Sequence, residues 1–382
     1  MTEMTTARAR QIPPFIVMDV LERAQALERQ GRHIIHLEVG EPDFPTPQCI
    51  CDAAERAIRD GHTHYTHSLG LRELREAVCT HYGDKYGVNV LPEQVIITSG
   101  TSPALFMLFS LLLEGGDEII ISNPHYPCYP NFAHFLGAKP VFVNVYEEEG
   151  FQFPVREIEK KMGPRSKVIL INSPSNPTGT LLSAPRMAQI SDLGHYVISD
   201  EIYHGLVYED KEHSILEFTD KAFVLNGFSK AYAMTGWRLG YIIAPLAFVR
   251  PLQKIQQNFF ISAGSISQWA GVAALTRAAA DVERMRSIYN ERRKYMVRRI
   301  RELGFGLGVE PAGAFYMLVN AKHLSGNSYD LAFEILEKAG VGVSPGIDFG
   351  QNAEGYIRIS YANSLENIKE GLDRLDLFIK SR

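Results

Sequence analysis

The chain has 382 residues, 45% of them hydrophobic and 22% charged, with a formal net charge of -5. That length exceeds one typical domain and supplies ample apolar material for a core, while the mild charge argues against non-specific binding to nucleic acid. No apolar run is long enough to span a bilayer, and no secretory signal opens the chain. The cysteines, Cys49, Cys51, Cys79 and Cys128, fit neither a disulfide framework nor a zinc site. A cytoplasmic enzyme with reduced thiols is the expectation.

Met1 to Gln11 is polar and is expected to be loose at its start. Val17 to Gln30 carries Val17, Val20, Leu21, Ala24 and Leu27 at helical spacing and reads as an amphipathic helix. Ile34 to Val39 reads as extended. It runs into Gly40-Glu41-Pro42-Asp43-Phe44-Pro45-Thr46-Pro47, a loop, because its prolines cannot continue a helix or a central strand. Ile50 to Asp60 predicts a helix, and Gly70 to Arg75 opens another. Tyr65 lies between them among His62, His64 and His67. A metal reading of these histidines is disfavoured, since no acids or thiols follow at ligand spacing.

Val95 to Ser99 is a strand candidate, and Gly100-Thr101-Ser102-Pro103 starts a helix. Its unpaired N–H groups suit a phosphate, although an ordinary capped helix fits the same residues. Asp117–Ser122, Pro140–Val145, Lys167–Asn172, Tyr196–Ser199 and Ala222–Leu225 read as further strands. Asn123-Pro124-His125-Tyr126 follows the first, Ser173 to Gly179 the third, and Asp200-Glu201-Ile202-Tyr203 the fourth. Asn176-Pro177 and Asn123-Pro124 are expected to be cis. The last of these strands is expected to end at the turn signal Asn226-Gly227.

Ser229, Lys230 and Arg238 then come close together. A hydroxyl and a guanidinium suit a phosphate dianion, and a lysine forms an imine with an aldehyde. Enclosure and a nearby cation both ease deprotonation of that lysine. A lone Ser-Lys pair is more often an ordinary surface turn. Strands alternating with helices between residues 95 and 243 imply an α/β fold with a mostly parallel central sheet sandwiched by helices, and ligands at the strands' carboxyl ends. The charged run Asp281 to Leu303 predicts a long helix leading to a smaller C-terminal part, where Tyr356 to Ser360 is a strand.

The whole stretch Asn226 to Gly240, NGFSKAYAMTGWRLG, resembles the cofactor-lysine segment of class I/II aminotransferases, the pyridoxal-phosphate enzymes of fold type I. Further matches arrive in family order. They are G-x-P-x-F-x-T-P at Gly40, Y-x-x-x-x-G at Tyr65, N-x-P-x-N-P-T-G at Asn172, D-E-x-Y at Asp200, and a P-x-G-A-F-Y strand at Pro311. The resemblance implies that Lys230 bonds pyridoxal 5'-phosphate as an imine and then moves the substrate's Cα proton. By the same resemblance Asp200 faces the pyridine nitrogen, and Asn176 and Tyr203 face the ring oxygen. Tyr126 stacks on the ring, while Gly100, Thr101, Ser102, Ser229 and Arg238 hold the phosphate. Arg358 grips the substrate α-carboxylate, the Gly40 backbone and Asn176 face the substrate, and Ile16 lies near its side chain. Tyr65 reaches the neighbouring active site of a homodimer.

The implied architecture is a large cofactor-binding domain over residues 49–284 and a smaller α+β domain from 1–48 and 285–382. The implied reaction moves an amino group between an L-amino acid of aspartate, alanine or aromatic type and a 2-oxo acid such as 2-oxoglutarate. No second arginine in Asn258 to Gln268 awaits a side-chain carboxylate, which favours neutral or aromatic donors and leaves an acidic pair such as aspartate and 2-oxoglutarate as the alternative. Rival readings are a C–S β-lyase with the same cofactor and a non-enzymatic regulatory protein with an aminotransferase-like domain. One departure from the pattern is Gly227, where the family commonly carries a serine; this removes one phosphate donor.

Overall fold

The computed structural model describes residues 5–382. Twelve strands are present among them, written β1 to β12 in chain order. Seven form the central sheet: β2 (Val95–Thr98), β3 (Glu118–Asn123), β4 (Lys139–Asn144), β5 (Ser166–Asn172), β6 (Tyr196–Asp200), β7 (Ala222–Gly227) and β8 (Gly240–Ile243). Their spatial order is β2-β8-β7-β6-β5-β3-β4. Only β8 runs against its neighbours, pairing antiparallel with β2 and β7.

Side-chain alternation explains why both faces are apolar. Ile97, Ile120, Ile169, Val197, Val224 and Tyr241 enter one core, shared with the helices Gln48–Arg59, Arg72–Tyr86 and Ser265–Arg277. Their neighbours Ile96, Ile121, Leu170, Ile198, Phe223 and Ile242 enter the other, shared with Thr101–Leu112, Cys128–Phe135 and Leu246–Phe259. The sheet is therefore sandwiched by helices, as expected.

The remaining strands are β1 (Ile35–His36), β9 (Tyr316–Asn320), β10 (Val341–Gly342), β11 (Ser344–Pro345) and β12 (Tyr356–Ser360). β11, β12 and β9 form an antiparallel sheet, and β1 pairs parallel with β10. Ile335, Ile357, Ile359 and Leu372 belong to the core beneath them, which the long helix Ala279–Glu302 completes with Met296 and Ile300. Among the described residues no helix is long and apolar enough to cross a membrane.

One expectation, a strand from Pro311, is corrected here. Residues 1–4, where the chain is expected to be loose, lie outside the described residues, and Ala7–Gln11 forms a short helix capped by Thr6. The strand before the lysine, β7, ends at Asn226-Gly227, and both of these residues still pair with Tyr241 and Gly240 of β8. Pro311 to Phe315 is not strand. Ala314 has φ of 58°, and regular pairing with β12 begins only at Tyr316. Asn123-Pro124 and Asn176-Pro177 are cis, and so is Ser173-Pro174.

Candidate active site

Loops leaving the carboxyl ends of β3, β5, β6 and β7 open onto one cavity of about 390 Å³. The helix Ile16–Glu28 roofs it with Val17, Met18 and Leu21, preceded by Phe15. Lys230 hangs from the loop between β7 and β8. Its Nζ donates to the Gly40 carbonyl at 2.5 Å. The amine is reachable from the cavity but deep in the protein. Burial lowers its pKa to about 8; Glu41 opposes the shift, and Arg358 and Arg238 reinforce it.

Asp200 ends β6 and is buried. The Tyr129 hydroxyl donates to its Oδ2 at 2.7 Å, and the Ile202 N–H to its Oδ1 at 3.1 Å. Burial pushes this carboxyl up to about 6 while both hydrogen bonds hold it down. The adjacent Glu201 faces away from it, receiving Ser199, Ser214 and Tyr82 hydroxyls and the Ile215 N–H. Those bonds lock the Asp200-Glu201 turn.

At the far end, Gly100 precedes the helix Thr101–Leu112 with no side-chain cap on its first N–H groups. Gly100 has φ of 92°, and a Cβ there would come within 2.5 Å of Arg238 Nη2. Gly240 permits an equally close approach, since a Cβ on it would stand 3.0 Å from the Gly100 carbonyl carbon. Thr101, Ser102, Ser229 and Arg238 line the cavity beside this bare helix end. Amide N–H groups, hydroxyls and a guanidinium make a phosphate seat. Gly227 sits tightly packed, since a Cβ there would be 3.0 Å from the Leu239 carbonyl oxygen. The missing serine thus reflects a close backbone crossing as well as a lost donor.

Opposite the lysine, Arg358 on β12 is buried. It donates from Nη1 to Asn176 Oδ1 at 2.9 Å, and from Nη2 to the Glu38 carbonyl at 2.6 Å and Ser344 Oγ at 3.1 Å. Its guanidinium lies 4.3 Å from the Tyr316 ring centroid and 4.9 Å from that of Phe349. The Tyr203 hydroxyl donates to the Tyr316 hydroxyl at 3.0 Å, and Asn176 Nδ2 reaches Tyr203 at 3.5 Å.

Most residues singled out from the sequence therefore meet around one cavity: Lys230, Asp200, Tyr203, Asn176, Tyr126, Thr101, Ser102, Ser229, Arg238, Gly40 and Arg358. Gly100 stands behind Thr101. Tyr65 is outside and 82% exposed. Ile16 stands between the lining residues Phe15 and Val17 without being a lining residue itself. Its N–H is taken by Asp348 Oδ1 at 3.1 Å, and the helical phase turns Val17 and Leu21 inward instead. Sequence reading missed Tyr129 and Tyr316. Tyr316 closes the Pro311–Tyr316 match, which was a usable signal; nothing marked Tyr129. The donor set fits pyridoxal phosphate, with an amine of lowered pKa, a buried carboxyl and an uncapped helix end arranged around one space.

The model of class I and II aminotransferases matches residues 32–375. A (5-formylfuran-3-yl)methyl phosphate transaminase of Methanocaldococcus jannaschii is 43% identical over 98% of this chain and 100% of its own. An aspartate aminotransferase of Pyrococcus horikoshii is 40% identical over 94% of this chain and 93% of its own. The Thermus thermophilus aspartate aminotransferase solved with maleate superposes with a TM-score of 0.94 at 36% identity, covering 98% of this chain and 100% of that one. This chain belongs to the class I and II aminotransferases, and it is a pyridoxal-phosphate-dependent transaminase.

Proposed function

We propose that this transaminase takes L-amino acids with neutral, apolar or aromatic side chains and passes their amino group to a 2-oxo acid. The observation that carries this is the composition of the cavity wall. Among the described residues its cations are Lys230, Arg238 and Arg358. Each has a task already, with the amine, the phosphate seat and the α-carboxylate. The apolar part of the wall includes Phe15, Val17, Met18 and Leu21 of the roof and Leu105 below it, with the Phe15 and Tyr126 rings edge to face at 6.0 Å. A side-chain carboxylate placed there would lose its hydration without gaining a partner. The relatives named above act on substrates as different as a furan phosphate and aspartate, so the wall of this chain is the better guide.

Pyridoxal phosphate, when bound, supplies the aldehyde and the electron sink. In this reading Arg358 holds the substrate carboxylate through a planar fork. Asp200 keeps a proton on the pyridine nitrogen beside it, since opposite charges favour each other. Asn176 and Tyr203 serve the ring oxygen, Tyr126 covers the ring face, and Gly100, Thr101, Ser102, Ser229 and Arg238 take the phosphate. Lys230 Nζ, neutral near its lowered pKa, accepts the Cα proton and hands it on. The roof helix excludes water. Residues 49–284 act as the cofactor-binding domain, and 1–48 with 285–382 as the smaller domain that closes. Tyr65, Phe259 and Ile261, all exposed, support a homodimer in which Tyr65 meets the neighbour's phosphate seat.

A donor screen with 2-oxoglutarate tests the substrate class. Phenylalanine, tyrosine or leucine is expected to exceed aspartate in kcat/KM by about tenfold or more, the value of one uncompensated buried polar group. Aspartate as the best donor would overturn it.

A further inference from the structure

His36 and Glu38 stand two residues apart, so their side chains leave the same face of an extended segment. That segment is wedged between two others: the Leu37 N–H donates to Gly342 at 3.1 Å, and the Ser360 N–H donates to Leu37 at 2.7 Å. Glu38 is wholly buried. Its Oε1 meets His36 Nδ1 at 2.6 Å, while its Oε2 has no hydrogen-bond partner. His36 Nε2 continues to Glu28 Oε1 at 3.2 Å, on the helix that roofs the cavity. Burying a carboxyl with half its acceptors unmet is costly. The fold also reserves room for it, because a Cβ on Gly342 would collide with that same carboxyl.

The main chain of Glu38 does the other half. Its carbonyl receives Arg358 Nη2 at 2.6 Å and Ser344 Oγ at 3.2 Å. Arg358 has five N–H groups. Those not engaged by Asn176, Glu38 and Ser344 include Nε, which has no partner within the protein. Where the residue 38 carbonyl sits therefore decides where the unengaged edge of the guanidinium points.

We propose that the His36–Glu38 pair is a positioning element for the substrate-carboxylate arginine, fixing the carbonyl that orients Arg358 and tying that grip to the roof helix. The proposal rests on Arg358 holding the substrate carboxylate. The charged groups facing His36 are Glu38 on its own segment and Glu28 on the helix above it. The hydrogen bond to Glu38 raises the imidazole pKa to about 9, against burial and with help from Glu28. The pair is accordingly intact at neutral pH and loses its cation as the pH passes about 9.

The test uses the holoenzyme and 3-phenylpropanoate, a carboxylate with no amine to titrate, with binding followed by the cofactor's absorbance. Glu38→Gln is expected to weaken binding about tenfold at pH 7.5 and leave kcat at saturating donor within about twofold, the pattern of lost ground-state grip. Wild-type affinity is expected to fall several-fold from pH 8 to pH 10, and this step is expected to vanish in both Glu38→Gln and His36→Gln. Equal affinities in wild type and the variants would overturn the proposal. So would a flat wild-type profile, which needs no variant to fold. Arg358→Lys separates the two readings. If it binds the probe like wild type, the carboxylate assignment falls too; if it alone loses the probe, only the positioning role falls.

Discussion

Arg358 donates to Asn176 Oδ1 at 2.9 Å across 182 positions of sequence. The same amide reaches toward Tyr203 with its nitrogen. One side chain thus touches both the carboxylate grip and the ring-oxygen pair. Asn176→Ala is expected to raise the donor KM about tenfold and also to move the pH at which the cofactor's visible band changes. Steady-state kinetics and a spectral pH titration on one preparation check both arms. Arg358→Lys, losing the fork, is expected to cost roughly a hundredfold in kcat/KM.

Tyr129 holds Asp200 toward its ionised form. Removing that hydroxyl in Tyr129→Phe raises the Asp200 pKa above about 6. The acidic limb of pyridoxal phosphate uptake by the apoenzyme is then expected to shift upward by roughly one to two pH units, the worth of a hydrogen bond to a charged group. A profile from pH 5 to pH 8 shows whether it does.

Lys230 needs its neutral form to attack an aldehyde. With its pKa lowered to about 8, the rate of pyridoxal phosphate uptake is expected to climb from pH 7 to pH 9 and then level off. Lys230→Ala is expected to show negligible turnover, and borohydride is expected to fix nothing onto it.

Tyr316 presents a ring to Arg358 and a hydroxyl to Tyr203. Tyr316→Phe keeps the stack, so the donor KM is expected to change little. Tyr316→Leu loses it, and KM is expected to rise about threefold to thirtyfold, the range from an exposed to a desolvated cation–π contact.

Gly100→Ala combines a left-handed backbone with a contact against Arg238. A weakening of cofactor affinity equivalent to about 1–3 kcal/mol is expected, read by equilibrium titration of the apoenzyme.

The sheet was legible in the sequence because its strands are apolar runs buried on both faces. Lys167–Asn172 could scarcely be anything else. Each motif loop followed such a run, so the cluster around Lys230, Asp200 and Asn176 could be anticipated from order alone. Which side chains around Ile16 turn inward was not legible, because its neighbours are also apolar and only the exact start of the helix fixes their direction. Asp348, more than three hundred residues away, sets that start through the Ile16 and Val17 N–H groups. Tyr129 and Glu38 were silent for a related reason. Their meaning lies in a partner distant along the chain, and local pattern carries no information about distance in space.

Because the chain leaves the sheet at Gly227 and re-enters it at Gly240, paired to each other, the segment bearing Lys230 is stapled at both ends into one rigid slab. A catalyst that serves two different visitors in turn needs a fixed post while its outer walls shift to admit each. That short return strand, the sole reversed member of its layer, gives the amine such an anchorage.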